Sequence, residues 1–356
     1  MQKLKLEEKA RKIKLATYPY TYVRVIVMRS LLLKKEDYDK LMKMSLSEIA
    51  KFLQDSTYKE EIDKLAADYS GAELVERALN KNLIRSFKKL KKISPENLNL
   101  LIDAYLKRED IFNIKTILRG KYTETDDKEI ESLLLPVGTL NKKFLLELLK
   151  KQTIEEIVKN LKIIDFKDVE KAYETFKKNN MLIEIENVLD KYYYNNVLKF
   201  MEKIPEQGKL FREFLEAEIE VLNIITMLRL KKENLEKEDI KNYLFLEKVD
   251  RYYKRLVDAK DVEEFLSLLE KSKYNKVLKE AIKNFNENKS IIPIEMKLYK
   301  YLLEKSVVLQ HQHPLSIDII LGYMFAKEIE TRNLRVIVKG KQLNLSDEFI
   351  QNELII

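Results

Sequence analysis

Asn113–Lys121 reads NIKTILRGK, Asn223–Lys231 reads NIITMLRLK and Asn333–Lys341 reads NLRVIVKGK. The three stretches are evenly spaced, at a step of about 110 residues, the length of a whole domain rather than of a solenoid unit. Within each stretch the apolar residues recur at three and four, the period of one helix face. Each ends on basic residues, and two of the three also carry a glycine there, as a helix C-terminus favours. The middle copy has Leu230 in place of Gly120 and Gly340, so its helix is expected to end differently.

Three further landmarks keep the same register. LSEIAKFL at Leu46–Leu53, IEEIVKNL at Ile154–Leu161 and VEEFLSLL at Val262–Leu269 are also equally spaced, each an apolar helix start with early acids. E-x-x-L-x-K recurs with Glu76, Leu79 and Lys81, then Glu186, Leu189 and Lys191, then Glu295, Leu298 and Lys300. Pro95, Pro205 and Pro314 each follow the glutamate of their own copy at one fixed distance. Each marks a break between helices, because proline lacks the helix N–H. Four landmarks in a fixed order predict three homologous helical domains in tandem, 1–125, 126–235 and 236–356. Each is long enough for about five or six helices.

The spaces between landmarks remain helical in pattern: Leu140–Lys150, Val169–Lys178, Leu244–Val257 and Tyr274–Phe285. Polar linkers are expected at Lys121–Lys128 and Lys231–Glu238, and a loop with a final helix capped by Ser346 at Leu343–Ile356. Composition agrees with an all-α fold: 6 Gly and 6 Pro in 356 residues cannot supply the turns of a strand-rich protein.

Much chemistry is excluded. Without Cys there is no disulfide, thiolate metal site or thiol nucleophile. The glycines are scattered, Gly120 and Gly138 being no nearer to each other than Gly322 and Gly340, so no loop can cradle phosphates as nucleotide-binding motifs do. His311 and His313 are the only histidines, in QHQHPLS, and lack the companions that a metal site needs. That pair reads as a polar loop. We therefore expect no enzyme, no cofactor and no metal. The N-terminus lacks the apolar core of a signal peptide, and no apolar run reaches the roughly 20 residues of a spanning helix. The net charge of +8 comes from 67 basic and 59 acidic residues, a mixture typical of solvated helix faces. The best basic cluster, RSFKKLKKIS at Arg85–Ser94, reads the same way, and no nucleic-acid partner is expected.

Two terminal segments resemble the C subunit of archaeal and V-type rotary ATPases, the piece called d in the eukaryotic enzyme. YPYTYVRVIVMRSLLL at Tyr18–Leu33 matches that family's N-terminal pattern at Tyr18, Tyr20, Arg24, Val25, Met28, Ser30, Leu32 and Leu33. PLSIDIILGYMFAKEIETRNLRVIVKGK at Pro314–Lys341 matches its C-terminal one. Tyr22, Ile26 and Asp318 depart from the pattern. The resemblance implies a funnel of three helical bundles about a pseudo-threefold axis. It implies a single-copy central-stalk subunit on the cytoplasmic face of the membrane, without catalytic groups. Its partners would be the rotor shaft, subunits D and F, and the membrane proteolipid ring. Because a shaft lacks the symmetry of a ring, divergence among the three domains should concentrate where they meet it.

Candidate contact residues are Arg119, Arg229 and Lys339, which share one repeated position at a helix end. They could face partner carboxylates or satisfy their own helix carbonyls, and helix-end preference favours the latter. Arg332 and Arg335 flank Asn333 in the third copy only and are candidates for a domain-specific contact. The alternatives to the rotary reading are a generic helical scaffold and a basic nucleic-acid-binding protein.

Overall fold

The computed structural model describes residues 18–202, 207–245, 251–312 and 317–356, and among these the chain forms helices and no strand. Pro205, His313 and Pro314 lie outside the described residues. Pro95 stands immediately before the helix Glu96–Tyr122, at the break the sequence predicts.

The chain divides into two compact units. The first comprises Met1–Arg24 and Phe52–Lys209. Its centre is the helix Glu96–Tyr122, whose Leu98, Leu101, Ile102, Tyr105, Ile114 and Ile117 are fully buried. The helix Ile183–Met201 packs along it, and Phe166–Asn179 packs on Ile183–Met201. Gly71–Ile93 supplies a further buried row, Val75, Leu79, Leu83, Phe87 and Leu90, at the spacing of one helix face. The second unit comprises Val25–Lys51 and Leu210–Ile356. Here Asn275–Asn288, Ile292–Gln312 and Asp318–Gln342 pack in succession.

The repeated asparagine of the first landmark organises both units. Asn113, Asn223 and Asn333 sit fully buried within long helices, where an amide side chain is costly unless satisfied. Each is satisfied by backbone 22 residues further on. Asn113 Nδ2 donates to the Leu135 carbonyl at 2.8 Å, and Leu135 N–H donates to Asn113 Oδ1 at 2.6 Å. Asn333 makes the same pair with Ile355, at 2.7 and 3.0 Å. Asn223 Oδ1 accepts from Phe245 N–H at 3.0 Å. One turn before each asparagine stands an acid: Asp110, Glu220 and Glu330. Asp110 accepts from Thr139 N–H at 2.8 Å and from Leu140 N–H at 2.9 Å. Gly138 permits this, since a Cβ there would overlap the Asp110 carboxyl group.

The three long helices end alike. Thr125, Leu235 and Leu345 each donate their N–H five residues back, to the carbonyls of Gly120, Leu230 and Gly340. Glu124, Asn234 and Asn344 take the left-handed conformation, with φ of 55, 58 and 53°. This is the double-bonded helix stop known as the Schellman motif. The middle helix thus does not end differently, contrary to the expectation from Leu230. Gly120 and Gly340 are not the left-handed residues. They lie inside the last turn, where a Cβ would come within 2.5 Å of Cγ1 of Ile130 and Ile350, so they allow the next short helix to approach. That short helix is Asp127–Leu133, Lys237–Asn242 or Asp347–Asn352, so the expected linkers are mostly turn and helix. Ser346 caps the last of them as anticipated, accepting from Phe349 N–H at 3.2 Å.

In the second unit an early segment of the chain completes the last repeat. Leu33 N–H donates to Glu330 Oε2 at 2.6 Å, and Glu330 also accepts from the buried Lys327 ammonium at 2.6 Å. Lys341 Nζ donates to the carbonyl of Met42, just past the helix Lys35–Leu41, at 2.7 Å. Lys231, at the same repeat position, donates to the Val257 and Ala259 carbonyls at 2.9 and 2.5 Å, around the end of the helix Arg251–Asp258.

These contacts predict stability effects of opposite sign. Asn113→Ala leaves a buried N–H and carbonyl unpaired and should cost about 2–3 kcal/mol in denaturant titration. Gly120→Ala should cost about 1–3 kcal/mol by overlap with Ile130. Glu124→Gly should instead stabilise by about 1 kcal/mol, because it relieves a left-handed residue. A stabilising Gly120→Ala with a neutral Glu124→Gly would contradict this description of the helix end.

Candidate partner interface

Arg119 and Arg229 occupy the last turn of their helices, yet their hydrogen-bond partners are not their own carbonyls. Arg119 Nε and Nη2 donate to the two oxygens of Glu186, both at 2.6 Å. Arg229 forks onto Glu295 in the same way, with Nε to Oε1 at 2.7 Å and Nη2 to Oε2. Glu186 and Glu295 are the glutamates of the E-x-x-L-x-K landmark, each from the copy that follows the arginine. The two landmarks therefore recognise each other through a bidentate, charge-assisted pair. The leucine of the same landmark, Leu189 or Leu298, turns inward and is fully buried.

In the first unit this pair belongs to a ladder between two packed helices. One turn before Arg119, Lys115 Nζ holds both oxygens of Asp190 at 2.8 Å. Further along, Arg108 lies over the Tyr105 ring and Tyr193 donates its hydroxyl to the Tyr105 carbonyl at 3.2 Å. At the other end Tyr122 donates to the Asn180 carbonyl at 2.9 Å. Burial pushes the Asp190 carboxyl up from its ordinary range, against the pull of Lys115. The hydrogen bonds to Glu186 hold Arg119 above its ordinary value.

In the second unit the corresponding region gathers Arg229, Glu295, Tyr299, Arg332 and Glu353. Arg332 Nη1 donates to the Glu353 carbonyl at 2.8 Å, and burial lowers its guanidinium. Burial raises the Tyr299 phenol, while Arg229 and Arg332 act in the opposite direction. Arg335 is half-buried on the same helix as Arg332. Lys339 is exposed, with Nζ 3.4 Å from Gln342 Oε1. Arg119 and Arg229 keep 60% and 58% of their side-chain surface in water, so both can meet a further carboxylate without leaving Glu186 or Glu295.

The basic stretch Arg85–Ser94 lies largely on the helix Gly71–Ile93. Arg85 is held by Glu61 and by the Thr57 carbonyl, and Lys88, Lys89 and Lys92 are solvated. His311 falls on the helix Ile292–Gln312. Among the described residues no cluster of three or more His, Asp or Glu could hold a metal ion. None of the described helices is long and apolar enough to cross a membrane.

The repeated arginine was legible as a position but not as a contact. The acid three residues before each asparagine was missed, although D/E-x-x-N recurs at the same step as the landmarks. Double-mutant cycles separate the ladder's rungs. Arg119–Glu186, with its exposed arginine, should couple by under about 1 kcal/mol and fade with salt. Lys115→Met removes the better shielded of the two cations from the half-buried Asp190, so it should cost about 1–3 kcal/mol and respond less to salt. Equal salt dependence of the two would contradict the burial difference.

Comparison with known proteins places this geometry. The model of the ATP synthase (C/AC39) subunit family matches residues 21–353. The chain is 37% identical to the A-type ATP synthase C subunit of Methanosarcina acetivorans, over 96% of its own length and 93% of the relative's. It is 37% identical to the same subunit of Methanococcoides burtonii, covering 96% and 95%, and 33% identical to that of Haloferax volcanii, covering 95% and 97%. With a family match across nearly all of the repeated helices, the chain belongs to the ATP synthase (C/AC39) subunit family.

Proposed function

We propose that this chain is the non-catalytic central-stalk subunit of an A/V-type rotary ATPase. It is a socket that receives the rotor shaft, subunits D and F, and rests on the membrane proteolipid ring. It acts as a single copy on the cytoplasmic face and transmits torque for ATP synthesis or ion pumping. Family membership supports the assignment to the complex. The observation that carries the socket reading is the recurrence of one clamp, one helix stop and one interhelix pair at an even step along the chain.

Three tandem repeats joined in this way suit a pseudo-threefold adaptor. Arg119 joins the first copy to the second, and Arg229 joins the second to the third. Glu330 and Lys341 of the third copy hold Leu33 and Met42 of the first. Each copy is thus tied to another, and such ties oppose splaying under torque. Dense helix packing adds stiffness. A proteolipid ring has rotational symmetry, so related repeats can each meet a similar loop of it. Arg119, Arg229, Lys339, Arg332 and Arg335 are our candidate contacts, the first three of them exposed.

Affinity purification from detergent-solubilised native membranes, with mass spectrometry, tests the assignment. Recovery of the shaft subunits and the proteolipid is expected, and recovery of the chain alone or with RNA would overturn it. Lys339→Glu and Arg335→Glu should each reduce that recovery, and undiminished recovery would remove the residue concerned from the interface.

A further inference from the structure

One helix stop occurs three times, and its solvent-facing residues change character in one copy. The position after the first helix end is Thr123, after the second Glu233 and after the third Leu343. Six residues further, on the short helix, stand Glu129, Asp239 and Phe349. Backbone conformation does not explain the change. All three copies make the same five-back hydrogen bond, include a left-handed residue, and enter a short helix whose isoleucine, Ile130, Ile240 or Ile350, is fully buried. Two repeats therefore build this turn with polar residues at these two positions. The third builds it with Leu343 at 66% exposure and Phe349 at 47%, and Leu345 between them at 40%. The first two copies serve as internal controls. What Leu343 and Phe349 contribute is not required by the fold, and three exposed apolar side chains within seven residues of one helix stop suit an interaction surface.

We propose that Leu343, Leu345 and Phe349 form a docking surface for one helix of the rotor shaft, with an apolar face and a basic flank. The proposal rests on the central-stalk reading above. Two observations select this occupant. First, Leu343 and Phe349 have polar counterparts in both other repeats, and Leu345 in the first, Leu235 being its match in the second. A ring partner would be met by like residues in every repeat, whereas a partner without that symmetry makes its contact at one of them. Second, Asp347 and Glu348 are both exposed in the turn that leads into Phe349, so the apolar residues are bordered by acid on that side, with the exposed Lys339 one turn before Leu343 on the other. A partner helix complements it best with lysine or arginine beside its apolar residues.

The test uses the full chain and separately purified shaft subunits D and F. Leu343→Thr with Phe349→Glu installs the residues that the first repeat already carries at these positions, so folding is expected to survive, checked by the thermal transition. Binding of the shaft should weaken on the order of tenfold or more. Asp347→Lys with Glu348→Lys should also weaken it, with a loss that shrinks as salt rises. Undiminished binding by the Thr/Glu variant, while the native chain binds, would overturn this assignment alone. Failure of the native chain to bind the shaft would overturn it together with the socket reading. A concentration-dependent dimer of the native chain that the variant abolishes would assign the patch to a second copy instead. Binding to phosphatidylglycerol vesicles lost in the variant would assign it to a lipid surface.

Discussion

A buried amide in the middle of a long helix is the constraint on which the architecture depends. Asn113, Asn223 and Asn333 cannot reach water, so each must find a partner within the fold. The partner is backbone that lies well beyond the helix end, at Leu135, Phe245 and Ile355, and reaching it forces a definite path. The helix must stop, the chain must turn back through a left-handed residue, and a short helix must lie against the last turn. Gly120 and Gly340 allow that approach in two copies, and Leu230 accompanies the same turn in the third. The acid one turn before each asparagine extends the constraint outward. Asp110 holds the entry to the following copy at Thr139 and Leu140, and Glu330 holds Leu33. A small polar motif thus recurs in each of the three long helices and ties it to backbone beyond its end.

The two kinds of junction differ in energetic character. Arg119–Glu186 and Arg229–Glu295 are bidentate but half in water, and pairs of this type give direction and register more than free energy. Lys327–Glu330, by contrast, is almost wholly buried, and it anchors an early segment of the chain to its last repeat through Leu33. A buried pair of this kind is costly to break from one side, which suits a contact that must not open. Tyr38 lies against the same cluster, and burial beside Glu330 pushes its phenol well above the ordinary range.

Helical class, the even period of the landmarks and the capped last helix were all legible, because apolar periodicity and capping chemistry are local. Thr153 and Asp261 cap the second and third copies of the LSEIAKFL landmark, accepting from Glu156 and Glu264 N–H, just as the early acids implied. The helix end was misread because glycine near a C-terminus suggests the left-handed position. Glu124 and the two asparagines take that role, while the glycines serve a close approach that only the tertiary structure reveals. The destination of Arg119 and Arg229 was likewise out of reach, since Glu186 and Glu295 lie 67 and 66 residues away and no local preference connects them. The D/E-x-x-N repeat was within reach but hidden by the louder apolar pattern around it.

The proposed function requires this fold to carry torque between a shaft and a ring without itself performing chemistry. Reconstituting the rotary complex in vesicles with and without the chain tests this most directly. Complexes lacking it should hydrolyse ATP but fail to drive ion uptake, and adding the purified chain back should restore uptake. Ion uptake that persists at full rate in the chain's absence would contradict the account.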